Sequence, residues 1–234
     1  MPAGGAPAER RRPSPAGRTR YFDFGCFFGL TVAWLALVAL TLAGLGLNTW
    51  FRDAPWLPLL TLVSAFALSQ AFRTVSAMMA TGLQQDFGLS TQSLGFFAAT
   101  FAFSFGLSQF AVGVALDYYG LRRTWLCTFP LAIVGAVASA LAPNYAVLVL
   151  GQALIGIGCA PAFVVCTLFI ARRFPVHRFA AVSGVAMGLG GLGLVFTGTP
   201  LAWLIDATAW RMGFAVLALL ACVAWLLVRW VCRR

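Results

Sequence analysis

Apolar residues gather into seven runs, at residues 26–48, 57–82, 91–116, 125–142, 145–171, 179–205 and 212–228. Crossing about 30 Å of hydrocarbon takes roughly 20 residues at helical rise, so each run is about the length of a membrane-spanning helix. Lipid offers no partners to an open sheet edge, which favours helices over strands for all seven. The pattern predicts an all-α integral membrane protein, with a bundle over residues 57–230 preceded by an extra N-terminal hydrophobic segment at 26–48. Residues 1–25 are rich in Pro, Ala, Gly and Arg without an apolar period and predict a disordered basic tail.

The polar residues between the runs orient the bundle. Placing the segment with Arg122 and Arg123 in the cytoplasm also places there Arg52, the segment with Arg172, Arg173 and Arg178, and the end with Arg229, Arg233 and Arg234, leaving Arg211 alone outside. The last six runs therefore form a consistent block with both ends cytoplasmic. The first run breaks this pattern, because if it also spans, Arg10, Arg11, Arg12, Arg18 and Arg20 are exported. An unfavourable extra crossing, an interfacial segment and an upstream piece absent from the working protein all remain open. A cleaved signal peptide fits poorly with so long an apolar run and no clear A-x-A site. We favour an appended helix outside the functional bundle.

Composition agrees with lipid as the main solvent, since 61% of the 234 residues are hydrophobic and 9% charged. The net charge of +10 comes from arginine with no lysine, dispersed in short clusters between apolar runs. A nucleic-acid interface would need that charge on one folded surface, so no nucleic-acid partner is expected. Cys26, Cys127, Cys159, Cys166, Cys222 and Cys232 have no C-x-x-C spacing and read as small buried hydrophobes. His177, the one histidine, reads as a solvated loop residue, and neither a metal site nor a cofactor is implied. The helices offer no nucleophile with a base and no paired acids near mid-membrane, which argues against an enzyme. By the same absence, a titrating carboxylate for proton-driven transport would lie outside this chain.

Arg73 is the one ionisable side chain deep within a run. Its insertion costs roughly 2.5 to 3.5 kcal/mol, so it should face a polar cavity or a partner. The alternative is a helix shifted so that Arg73 lies near an interface. Gln70, Arg73, Thr74, Ala77 and Thr81 recur at spacings of three and four, a polar stripe on an apolar cylinder that should line a central pathway. A guanidinium there favours anions, because its planar fork pairs a carboxylate, phosphate or nitrate through two hydrogen bonds. Gln152 is a second candidate for substrate binding, its alternative being an ordinary interhelical hydrogen bond. Gly184, Gly188, Gly190, Gly191 and Gly193 read as close-packing positions, and Pro161 and Pro200 as possible kinks.

Between the runs at 91–116 and 125–142 stands Gly113-Val114-Ala115-Leu116-Asp117-Tyr118-Tyr119-Gly120-Leu121-Arg122-Arg123. Gly113 would permit close helix approach, Gly120 a tight turn, and Asp117 pairing with arginines or a helix terminus. The stretch resembles the signature loop between the second and third helices of the major facilitator superfamily, roughly G-x-x-x-D-R-x-G-x-R-R. The resemblance covers residues 57–230. Asp86-Phe87-Gly88-Leu89-Ser90 resembles the family's link from first to second helix, and Gly151-Gln152-Ala153-Leu154-Ile155-Gly156-Ile157-Gly158 its fourth helix. Thr199-Pro200-Leu201-Ala202 followed by Trp210-Arg211 resembles its join from fifth to sixth. Tyr118 departs from a commonly basic position, and Gln152 from one that is often Arg.

The resemblance implies the N-terminal half of a transporter, six helices in two three-helix inverted repeats, working by alternating access. Gly113, Asp117, Gly120, Arg122 and Arg123 would form the gating latch that closes the cytoplasmic side. Family members with an Arg in the first helix commonly move organic or inorganic anions, which implies a small anionic substrate. A half needs a complement, so the chain is expected either to be truncated from a longer transporter with a second six-helix half in cis, or to pair with itself or a partner chain. The setting is the lipid bilayer, a bacterial inner (plasma) membrane. The competing expectation is a nontransporting membrane assembly or accessory protein on the same scaffold.

Overall fold

The computed structural model describes residues 56–196, 201, 205 and 208–231. The tail at 1–25, the segment at 26–48, and Arg52, Pro200, Cys232, Arg233 and Arg234 lie outside the described residues. The helices are α1 (Trp56–Met78), α2 (Ala80–Phe87), α3 (Thr91–Ala140), α4 (Tyr145–Cys159), α5 (Pro161–Arg173), α6 (Val176–Phe196) and α7 (Trp210–Val231). Among the described residues, five stretches are long and apolar enough to cross a membrane. One of them, α3, has 50 residues, which at helical rise would reach about 75 Å, more than twice the hydrocarbon.

α3 resolves into two crossings because it breaks at Gly120, where φ is 76° and ψ 168°. Only glycine adopts that conformation without a steric penalty. Thr124 Oγ1 donates to the Ala115 carbonyl at 3.0 Å, nine residues back, a contact that a straight helix could not make. Pairing with α4 shows the chain reversing. Tyr145 donates to the Ser93 carbonyl and Gln109 to the Ala160 carbonyl, so the first half of α3 runs parallel to α4. Gly135 lies against Gly151 and Gly158 against Ala132, so the second half runs antiparallel to it. The described residues thus make six crossings: α1 with α2, the two halves of α3, α4 with α5, α6, and α7. The loop expected between the second and third crossings shrinks to one residue, because Gly120 turns the chain without further loop.

Local chemistry sets the other ends. Gly88, with φ 61°, terminates α2, and the Ser90 hydroxyl accepts from the Ser93 amide to start α3. Asn144 does the same for α4 through the Val147 amide. Pro161 opens α5 and lacks an N–H, so the fourth crossing breaks at Ala160. Side chains from two neighbours meet that break: Ser69 Oγ donates to the Cys159 carbonyl at 3.4 Å and Gln109 Nε2 to the Ala160 carbonyl at 3.0 Å.

The core is packed with small residues where α4 passes between the halves of α3. A methyl group built on Gly156 would fall 2.7 Å from the Phe101 carbonyl oxygen, and one on Gly151 2.8 Å from that of Gly135. Gly190 and Gly193 of α6 pack likewise against Phe66 and Ala67 of α1. Gly184, Gly188 and Gly191, expected to serve close packing, meet nothing within 4 Å. Around these contacts stand Phe72, Met79, Phe97, Trp125, Phe129 and Phe214, all fully enclosed.

Candidate functional site

α1 is the enclosed centre of the bundle: every residue from Thr61 to Ser69 is buried, as are Ala71, Phe72, Val75, Ser76 and Met79. Its one open side is the polar stripe. Arg73 and Ala77 are exposed, Gln70 and Thr74 half-buried, and Thr81 continues the exposed face into α2. Arg73 therefore sits near the middle of the first crossing, on the exposed side of α1. A face turned to lipid would be expected to be apolar, as it is on α3, where Phe96, Phe103, Leu107, Phe110 and Val114 are exposed.

The Arg73 guanidinium lies over the Phe105 ring, 5.4 Å from its centroid. An aromatic face attracts the cation without neutralising it, so the guanidinium keeps its charge and its fork of donors for a ligand. Phe105 stacks on Phe101 at 5.9 Å, and both lie on the turn of α3 that Gly156 holds against α4. Thr74 Oγ1 donates back to the Ala71 carbonyl at 3.2 Å. The aromatic partner was not legible in the sequence, because Phe105 stands far from Arg73 in the chain in a run full of phenylalanines.

Gln152 is elsewhere in character. It is 0% exposed, and neither amide atom has a hydrogen-bond partner among the described residues. The Ser69 to Cys159 bond sets the register of the antiparallel α1 and α4. From it, Arg73 is about 6 Å and Gln152 about 10 Å toward the same end. The two share a depth to within a few Å, but Arg73 faces an open side and Gln152 the sealed core. The Ser139 hydroxyl of α3, which lies against Gly151 of α4, is also buried and without a hydrogen-bond partner among the described residues. A small apolar recess between α1, α5 and α6, lined by Phe66, Phe163, Cys166 and Ile170, contains neither Arg73 nor Gln152.

The signature stretch is gathered at the arginine-rich end. Asp117, Arg122 and Arg123 are exposed on either side of the Gly120 break. Among the described residues no helix approaches Gly113: a methyl group there would meet nothing within 4 Å.

At the opposite end, Trp210 Nε1 donates to the Asp86 carboxylate at 2.7 Å, joining the first and sixth crossings. Arg211 Nη2 donates to the Ala142 carbonyl at 3.1 Å, and its guanidinium lies 4.8 Å from the Trp210 ring centroid. Both sequence segments stood out by resemblance, but their union did not.

A profile of the Major Facilitator Superfamily matches residues 61–234. The chain belongs to that superfamily and is an integral, multi-pass membrane protein. Among its relatives, the hexuronate transporter of Bacillus subtilis (strain 168) is 24% identical over 165 residues, which cover 70% of this chain and 39% of the relative. The D-galactonate transporter of Escherichia coli O6:H1 is 28% identical over 164 residues, 67% of this chain and 37% of that protein. The nitrate/nitrite transporter NrtP of Picosynechococcus sp. is 32% identical over 118 residues, half of this chain and 22% of the relative. The chain thus spans less than two-fifths of the length of the relatives it matches.

Proposed function

We propose that this chain is the N-terminal half of a transporter for a small anion, and that Arg73 is the substrate's charge partner. The observation that carries the reading is the open side of α1: the most enclosed helix of the bundle keeps one side uncovered, and there it presents a guanidinium, an amide and hydroxyls. A second six-helix half, in cis or from a partner chain, closes the pathway opposite that side, and substrate is exposed alternately to the two membrane faces as the halves rock. Gln70 and Thr74 flank the guanidinium, and the Gln70 amide N–H supplies the uncharged hydrogen bond that orients an anion. Gln152 lies at the same level but inside the sealed core, without a hydrogen-bond partner among the described residues. The hexuronate, D-galactonate and nitrate/nitrite named for the relatives are all anions, which supports the charge class, and their bacterial sources support a bacterial inner membrane.

The experiment is uptake of a sugar acid and of nitrate by the full-length protein in proteoliposomes, comparing wild type with Arg73→Ala and Arg73→Lys. Arg73→Ala should abolish uptake, and Arg73→Lys should retain a fraction, at least about tenfold reduced, because a point charge replaces a bidentate fork. Undiminished uptake by Arg73→Ala would remove Arg73 from the pathway.

A further inference from the structure

The third and sixth crossings lie side by side along their length. Arg211 reaches the Ala142 carbonyl at one end, and Trp225 Nε1 donates to the Leu126 carbonyl at 3.1 Å near the other. The two bonds fix an antiparallel register. One turn beyond Trp225 on α7 is Arg229; one turn before Leu126 on α3 are Arg122 and Arg123. The three arginines therefore share one corner of the arginine-rich end, about 6 Å beyond the Trp225 bond along either helix. All three are exposed. The Arg229 guanidinium lies 5.2 Å from the Trp225 ring centroid, which orients it along the bundle wall. Asp117, one turn back across Gly120, is the acidic side chain nearest in the chain, so the corner carries a surplus of positive charge.

The surroundings give the depth. Tyr118 and Tyr119, 83% and 65% exposed, flank the corner on the α3 side, and Trp225 and Trp230 on the α7 side. Exposed tyrosine and tryptophan concentrate at the level of lipid headgroups, where a ring sits among chains and a polar tip reaches water. On α7 the exposed Leu219 and Leu226 continue toward the bilayer centre on the side that carries Trp230. Positive charge at headgroup depth, bordered by an apolar wall, suits a phosphodiester headgroup with its acyl chains attached.

We propose that Arg122, Arg123 and Arg229 form a binding site for one anionic phospholipid of the cytoplasmic leaflet. The phosphodiester is held between the arginines of α3 and Arg229, and the chains lie along the Leu219 and Leu226 side of α7. Because Arg122 and Arg123 follow the Gly120 reversal directly, an occupied site ties the sixth crossing to the turn between the second and third.

The test is native mass spectrometry of the full chain titrated with phosphatidylglycerol or with phosphatidylcholine, for wild type, for Arg122→Gln/Arg123→Gln/Arg229→Gln, and for Arg172→Gln/Arg173→Gln as a control. Wild type and control should retain one phosphatidylglycerol in preference to phosphatidylcholine, and the triple variant should lose that affinity by about tenfold or more, given the worth of each basic residue at an anionic surface. Equal retention of the two lipids by wild type, or undiminished phosphatidylglycerol binding by the triple variant, would overturn the proposal. Soluble glycerophosphate competing as well as the lipid would assign the corner to a free phosphate and also overturn it. Should the triple variant fail to fold, wild type alone decides: binding that weakens several-fold as salt rises supports the site, and binding indifferent to salt refutes it.

Discussion

A charged side chain in a membrane helix must be solvated by something, and Arg73 shows how little of that solvation the described helices supply. Phe105 provides an aromatic face at 5.4 Å, which steadies the cation and leaves its donors free. Gln152 presents the opposite case, a fully buried neutral amide with neither polar atom hydrogen-bonded among the described residues, at a cost on the order of 1–3 kcal/mol. Asp86 and Trp210 are a satisfied pair. Trp210 is 3% exposed, its indole N–H is spent on the carboxylate, and its ring lies against Gly82, Phe87 and Phe214. Trp210→Phe keeps most of the ring and loses the donor, so it should destabilise the detergent-solubilised protein by about 1–2 kcal/mol. Asp86→Asn keeps an acceptor and should cost less. Thermal unfolding of the two variants beside wild type checks the order; equal stability of Trp210→Phe and wild type would mean the bond contributes nothing.

Helices here are defined by where they stop. Gly88, Ser90, Asn144 and Pro161 act through their own backbone or a neighbour's amide, so their effects could be anticipated from local sequence. Gly120 is the most consequential, because a single residue at φ 76° and ψ 168° converts a 50-residue apolar stretch into two antiparallel crossings. A methyl group at Gly120 would meet nothing within 4 Å, so the requirement is conformational and not one of space. Gly120→Ala is accordingly expected to destabilise the fold by about 1–3 kcal/mol, the cost of forcing a side chain into a region reserved for glycine. Gly113→Ala, on an open face, should be near neutral. Denaturation of the two variants in one detergent separates these cases, and equal loss in both would contradict the assignment. The Gly135, Gly151 and Gly156 contacts are legible in another way, since helices in lipid approach closely only where side chains are small. Gly184, Gly188 and Gly191 show the limit of that rule: small residues permit approach but do not compel a neighbour to be present.

On the scale of the molecule, six crossings form one body with an arginine-rich end, an opposite end clasped by Asp86, Trp210 and Arg211, and a polar opening on α1. Asp117 lies exposed at the arginine-rich end beside the Gly120 reversal, where the proposed second half would meet it. A contact made in one access state and broken in the other changes the rate of interconversion more than the affinity of a distant site. Asp117→Asn in the full-length protein should slow exchange several-fold while leaving half-saturation within about twofold, a shift of under 0.5 kcal/mol. Unchanged exchange rates would count against a latch.

How much of this was readable in advance follows from the physics of the solvent. Lipid demands long apolar helices, so the all-α membrane class was legible in composition and periodicity along the chain. Turn chemistry is equally local, and it marked Gly120 before the reversal was seen. What the sequence by itself could not determine was which faces meet. In water, a helix's buried side is written in its apolar stripe; in a bilayer, protein interior and lipid are both apolar, and that distinction disappears. Only the tertiary structure could therefore enclose Gln152 while leaving Arg73 open, bring Phe105 beneath the guanidinium, join Asp86 to Trp210, and gather Arg122, Arg123 and Arg229 into one corner.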